Sequence, residues 1–276
     1  MYKLLSKSTL APKVNRYEIE APDVARHAHP GQFIILRVDD DGERIPFTIC
    51  DFDKQKGTVT ILVQEAGYST AKLAAVPEKG YIADFVGPLG IPTDLSEYKR
   101  VALVGGGIGS AVIFPQAKKL HSEGKRCDVI LGARTSELIM YENEFRANCD
   151  NLIIATDDGS KGLKGFVTDA LKSGLENGLY DCVMAVGPLP MMRAVCVLTK
   201  QYGVKTVVSM NPLMVDGTGM CGCCRVTVGG EVKYACVDGP EFDGHEVDWD
   251  SAILRLRAYK EQEKAHYCRM TGEIRK

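Results

Sequence analysis

The stretch "DGTGMCGCCRVTV", residues 216–228, places Cys221, Cys223 and Cys224 within four positions, with Asp216 five residues before the first of them. Cys236 follows, with eleven residues between it and Cys224. Thiols this close can ligate a metal, hold an iron–sulfur cluster or pair as a disulfide. The first twenty residues are broken by charges every few positions, unlike the apolar core of a secretory signal. The cytoplasm is therefore the expected location, and ten cysteines in a reducing compartment argue for metal or redox chemistry over a disulfide framework. Plant-type 2Fe–2S proteins space their ligands C-x4-C-x2-C, with a fourth cysteine beyond. Asp216, Cys221, Cys224 and Cys236 stand at that spacing, with a carboxylate in the first place, and a carboxylate can ligate ferric iron. Cys223, between two ligands, is expected to point away. Zinc is the competing reading, with His245, His266 or Cys268 as a fourth ligand. Structural zinc sites, however, more often pair two C-x2-C hooks, or one hook with H-x3–5-H, and neither pattern occurs.

A second chemistry-bearing stretch is "GGGIGSA", residues 105–111, between an apolar strand and a helical segment. Gly105, Gly107 and Gly109 would let the backbone turn tightly and approach a pyrophosphate, which a helix N-terminus attracts. Ser110 stands where the G-x-G-x-x-G pattern has its third glycine, so a ligand-free strand-to-helix turn stays open. The next strand ends "VILGART", offering Arg134 where an acidic residue would bind ribose hydroxyls. That arginine suits a 2′-phosphate, the face of an adenine, or plain solvent, which leaves NAD and NADP both open. "RIPFTI" (44–49) presents Arg44, Phe47 and Thr48 on one strand, and "GYSTAKL" (67–73) opens a helix with Gly67, Ser69 and Thr70. Hydroxyl and amide donors of this kind suit a pyrophosphate, but a strand and an ordinary N-cap would use the same residues.

The elements that must position these groups change character along the chain. Up to about residue 85, short runs such as "GQFIILRV", "PFTICDF", "GTVTILVQ" and "YIADFVG" predict a small antiparallel barrel. "GPLGIPTDLSEYKR" (87–100) reads as a linker. From residue 101, apolar runs alternate with helical lengths, which predicts a doubly wound parallel sheet. After residue 211 come the cysteine-rich knot, an acidic loop and one helix, "SAILRLRAYKEQEK". The expected organisation is a barrel over 1–97, an α/β domain over 98–210 and a cluster-binding domain over 211–276. A net charge of −2 argues against nucleic-acid binding, and no apolar run approaches the roughly 20 residues of a membrane span.

Taken in order, these stretches resemble the ferredoxin–NADP reductase-like electron-transfer flavoproteins over the whole chain. That family includes the electron-transfer subunits of dihydroorotate dehydrogenase and the small subunits of NADH-dependent ferredoxin:NADP oxidoreductase, also described as sulfide dehydrogenase. "VDGTGMCGCC" and "CVDGPEFDGHEVDWD" look most like the latter, because the dihydroorotate relatives use four cysteines. The resemblance implies FAD, a 2Fe–2S cluster and NAD(H), with NADP(H) possible. It implies that Thr48 lies near flavin N5 with Phe47 beside the ring. Ser69 and Thr70 would fall at the FAD pyrophosphate, Gly105, Gly107 and Gly109 at the nucleotide, and Gly187 and Met191 of "VGPLPMM" by the nicotinamide. Arg44 departs from the family pattern: it stands four residues before the hydroxyl instead of three, and on a strand that reverses its face. The implied activity passes electrons from NADH through flavin and cluster to a larger flavin/iron–sulfur subunit, and indirectly to ferredoxin. Service to a dihydroorotate dehydrogenase is the alternative, and a colourless zinc-containing nucleotide-binding regulator the remote one.

Overall fold

The computed structural model describes residues 1–271. The N-terminal part holds β1 (Tyr2–Ala11), β2 (Val14–Glu20), α1 (Pro22–His27), β3 (Phe33–Arg37), β4 (Ile45–Thr48), β5 (Asp51–Asp53), β6 (Thr58–Gln64), α2 (Tyr68–Ala75), β7 (Tyr81–Ile82) and β8 (Asp84–Leu89). They form two antiparallel sheets, β5-β6-β2-β1-β7 and β4-β3-β8. Alternation explains the pairing: in β2, Tyr17 and Ile19 point inward while the alternating Arg16 and Glu18 do not. Both sheets close on one core that includes Leu4, Tyr17, Ile34, Leu36, Ile61 and Phe85.

Next come β9 (Arg100–Gly106), α3 (Gly109–Ser122), β10 (Arg126–Ala133), α4 (Glu142–Arg146), β11 (Asn151–Thr156), β12 (Leu163–Lys164), α5 (Val167–Glu176), β13 (Cys182–Val186), α6 (Leu189–Gln201) and β14 (Lys205–Ser209). The strand order is β12-β11-β10-β9-β13-β14, all parallel. Strands buried on both faces need apolar residues on both: Leu103 and Val129 face α3, whereas Val104 and Ile130 face α5 and α6. The chain runs outward from β9 through β10 and β11, then returns to β13 on the other side. The crevice between β9 and β13 is thus a topological switch point, where open α/β sheets bind ligands at the carboxyl ends of their strands.

The remainder holds β15 (Arg225–Val228), β16 (Glu231–Tyr234), β17 (Glu241–Asp243), α7 (Trp249–Leu256) and α8 (Lys260–Thr271). Two local expectations are corrected here. The acidic loop contains β17, which pairs antiparallel with β14 and becomes the seventh strand of the parallel-strand sheet. The single helix predicted from residue 251 is two, interrupted at 257–259. Trp249, Ala252 and Ile253 of α7 pack on the core of the α/β part, which leaves Leu254 and Leu256 outward. Among the described residues, no helix is long and apolar enough to cross a membrane.

Candidate functional site

A cleft of about 1060 Å³ opens between β4 and the carboxyl ends of the parallel strands. Phe47 and Thr48 line its antiparallel side. The Thr48 hydroxyl is half-buried and has no hydrogen-bond partner among the described residues, so it is free to meet a ligand. Opposite lie Gly107 and Gly109 at the start of α3, Gly187 and Met191 after β13, and the exposed Arg134 at the end of β10.

The glycines do different jobs. Gly107 has φ +56° and open space where a side chain would go, so it makes the left-handed turn. Gly109 lets α3 approach β13: a Cβ there would stand 2.2 Å from the Val186 carbonyl oxygen. Gly105 does not line the cleft; it keeps β9 close to α3, with a Cβ falling 2.8 Å from Ser110 Cα. Gly106, which the motif reading passed over, lines the cleft and leaves room for the Met191 sulfur.

Gly67, Ser69 and Thr70 lie away from this wall. Ser69 Oγ donates to Glu43 Oε2 at 2.5 Å. Thr70 Oγ1 accepts the amides of Ala66 and Gly67, each at 3.0 Å, and so caps α2. Arg44 turns toward the thiol segment: its Nε donates to Val215 O at 3.1 Å and its Nη2 to Asp216 O at 3.3 Å. The cleft is also lined by Cys50, Gln64, Asp157, Ser209, Asn211 and Met214, none of which the motifs singled out. Three of these, Asp157, Ser209 and Asn211, sit at or just beyond strand ends, where the switch-point rule alone would have pointed.

The thiol segment is built from tight turns. Gly217 has φ +85° and sits against Ile35, where a Cβ would meet Cδ1 at 2.6 Å, and Gly219 has φ +84°. Cys224 and Cys236 are buried, with sulfurs 3.2 Å apart, whereas Cys221 is exposed. Backbone amides of Cys223 and Asp216 point at the Cys221 sulfur and hold its pKa below the ordinary thiol value. Burial, followed by the contact with Cys224, pushes Cys236 up to about 12, tempered by the Gly219 amide aimed at its sulfur. The Asp216 carboxylate accepts the hydroxyl of Thr218 and, at 3.0 Å, its amide, which keeps it below the usual carboxylate range. Cys223 is half-buried, and contact with the Cys221 sulfur raises its pKa. Among the described residues, no three His, Cys, Asp or Glu side chains gather around a point for one metal ion. His245 instead meets Thr199 Oγ1 at 3.0 Å, and the His266 side chain lies outside what is described.

The thiol pair and the cleft share a wall. Phe33 and Met214 line the cleft and also pack in one apolar cluster with Cys224 and Cys236.

Two antiparallel sheets, a switch-point cleft and a thiol loop behind its wall define an oxidoreductase subunit of the ferredoxin-reductase fold. The solved structure of an NADH-dependent reduced ferredoxin–NADP oxidoreductase, described for flavin-based electron bifurcation, matches with TM-score 0.93 and 44% identity over 98% of each chain. Residues 211–248 match the iron–sulfur cluster binding domain of dihydroorotate dehydrogenase B. The chain is 45% identical over 265 residues to the dihydroorotate dehydrogenase B (NAD(+)) electron transfer subunit homolog of Thermotoga maritima, covering 96% of this chain and 94% of that one. It belongs to the family of dihydroorotate dehydrogenase B electron-transfer subunits and their homologues. An uncharacterized protein in the adh 3′ region of Clostridium beijerinckii is 50% identical over 272 residues, covering 95% and 92% of the two chains.

Proposed function

We propose that the chain is the NADH-oxidising electron-transfer subunit of a ferredoxin:NADP oxidoreductase complex, carrying FAD and a 2Fe–2S cluster. The observation that carries this reading is the shared wall: Phe33 and Met214 line the cleft and pack in one apolar cluster with the Cys224–Cys236 pair. When bound, a flavin in the cleft supplies the conversion between hydride transfer and single-electron transfer, and the cluster carries the single electrons.

The chain's own residues bind and orient. Thr48 offers its unpartnered hydroxyl, and Phe47 an aromatic edge, on the flavin side. Gly107 shapes the turn, its own amide donating to Gly132 O at 2.8 Å, so that Gly109 at the start of α3 presents a backbone amide to a nucleotide, with Gly187 and Met191 at its reactive end. Cys224 and Cys236 are close enough to serve one iron, and Asp216 lies beside Cys221 for the other, as four ligands for two irons require. Soft thiolates supported by backbone amides suit iron–sulfur ligation. We divide the chain at about residues 97 and 210, with β17 returned to the nucleotide sheet. Met220 and Val237 are exposed near Cys221, which favours docking of a larger flavin/iron–sulfur subunit on this face. All ten cysteines are unpaired, in keeping with the cytoplasm. The Thermotoga maritima relative also supports a second reading, service to a dihydroorotate dehydrogenase; the large subunit that co-purifies anaerobically separates the two.

Metal and cofactor analysis should give one FAD, two irons and two acid-labile sulfides per chain. Stoichiometric zinc without sulfide would sink the proposal. We further expect NADH to reduce the flavin faster than NADPH. Arg134 is exposed at the cleft's mouth, but the Thermotoga maritima relative is named for NAD(+) and the matched oxidoreductase is described as NADH-dependent. Stopped-flow traces with each nucleotide decide it: NADPH faster by tenfold, about 1.4 kcal/mol in barrier height, assigns Arg134 to a 2′-phosphate instead.

A further inference from the structure

Glu241, the first residue of β17, carries a buried carboxyl that the relay described above does not use. The residue is half-buried overall, yet both carboxyl oxygens are closed off from solvent and neither has a well-formed hydrogen bond. The Thr93 hydroxyl is buried and equally unpartnered. Ser209 lies directly across the β14–β17 ladder and lines the cleft, as does Pro240 next to Glu241. The carboxyl thus sits one residue behind the cleft wall, at the junction of all three parts of the chain.

The neighbouring polar and charged groups are engaged elsewhere. Asp243 of the same strand pairs with Lys205 of β14, Asp94 accepts the Ser96 amide, and Gln32 bonds His29 N and Gly90 O. Among the described residues no ionised group contributes to the state of the Glu241 carboxyl. Burial pushes it up to about 8, and the nearby Thr93 and Ser209 hydroxyls only temper the rise.

We infer that Glu241 is the proton store of the cleft, exchanging its proton with the bound reactants through the Ser209 hydroxyl. This rests on the function proposed above. Oxidation of NADH by one-electron acceptors gives NAD⁺, two electrons and one proton, and the reverse direction consumes that proton. Ser209 would pass its hydroxyl proton to the Glu241 carboxylate, forming the carboxylic acid O–H, and accept the cleft's proton in return. In the reverse direction Glu241 gives the proton up. A carboxyl that titrates close to the working pH is suited to both roles.

The test uses the full holo-protein, with ferricyanide as one-electron acceptor for NADH, between about pH 6 and pH 9.5. The wild type should show an inflection near 8. Glu241→Gln, nearly the same in shape and unable to ionise, should lose that inflection and about tenfold or more in kcat, with KM for NADH unchanged. Urea unfolding against pH gives a readout independent of turnover. Because the folded pKa lies above the unfolded one, wild-type stability should fall as pH rises from about 4.5 to about 8, and Glu241→Gln should lack that fall. If the fall disappears while rate and inflection persist, the carboxyl is neutral but no proton store, and the inference is overturned. If Glu241→Gln does not fold, Ser209→Ala decides, since an unchanged rate in that variant overturns the exchange route. Wild-type protein without flavin or acid-labile sulfide would overturn the proposed function and this inference together, and would leave the unfolding result intact.

Discussion

Serine in place of Cys224 or Cys236 should give a folded, yellow protein whose iron falls below about a tenth of wild type, because a buried, weakly acidic serine hydroxyl replaces a soft thiolate poorly as an iron ligand. Both cysteines are 2% exposed, so the serine hydroxyl is buried as well, at a cost of about 1–3 kcal/mol. Cys223→Ser should retain full iron, since Cys223 lies between ligand positions and its thiol meets Cys221, outside the buried pair. Asp216 separates two roles that its geometry allows. Its carboxylate already caps a turn through Thr218, so Asp216→Ala disturbs the loop whether or not the carboxylate binds iron. Asp216→Cys is more informative: if Asp216 is a ligand, this variant should keep the cluster and lower its reduction potential, since thiolate donates more electron density than carboxylate. Iron counting beside a redox titration reads all five variants. An Asp216→Ala protein with full iron and the wild-type potential would restrict the aspartate to the turn.

Alanine at Gly109 should cost NADH turnover as well as stability. The added Cβ would lie 2.2 Å from Val186 O and 3.0 Å from Gly187 N, both backbone atoms that cannot rotate away. The start of α3 must therefore back off from β13, which is the crevice where the nucleotide is proposed to lie. We expect about 1–3 kcal/mol less stability, the usual range for overpacking, and at least a tenfold fall in kcat/KM for NADH, about 1.4 kcal/mol. Flavin and iron content should stay at wild-type levels. Unchanged NADH kinetics would mean that the nucleotide does not use this helix start.

Much of this architecture is legible in the residues because the physics behind it is local. Apolar runs such as "VALVGGG" and "CDVILGA", bounded by glycines, read as doubly buried strands, and the glycines between strand and helix announce a close approach. Ligand spacing in the thiol loop is likewise a property of a short stretch. What the sequence hides is longer in range. The hairpin of β1 and β2 is obscured by its many charged outward positions. β17 is three residues long and acidic, and its pairing with β14 depends on a neighbour more than thirty residues back. The orientation of Arg44 follows from the loop that packs beside it, so no count along its own strand reveals that it reaches Val215 and Asp216. Glu241 is hidden for a similar reason: its burial comes from three separate parts of the chain closing over it.

The pairing of β17 with β14 has a consequence for how the protein matures. The thiol-bearing residues between Ser209 and Glu241 form one closed excursion, whose two ends are hydrogen-bonded to each other as neighbouring strands. Closing such a loop costs entropy once, when the sheet forms, and the cost grows only slowly with loop length. The stem belongs to the large sheet and owes nothing to the iron ligands proposed at the tip. The sheet can therefore close before any metal arrives, and hold the thiol loop at a fixed base for the machinery that delivers iron and sulfide. Small zinc modules work the other way round, since they order only on taking up their ion.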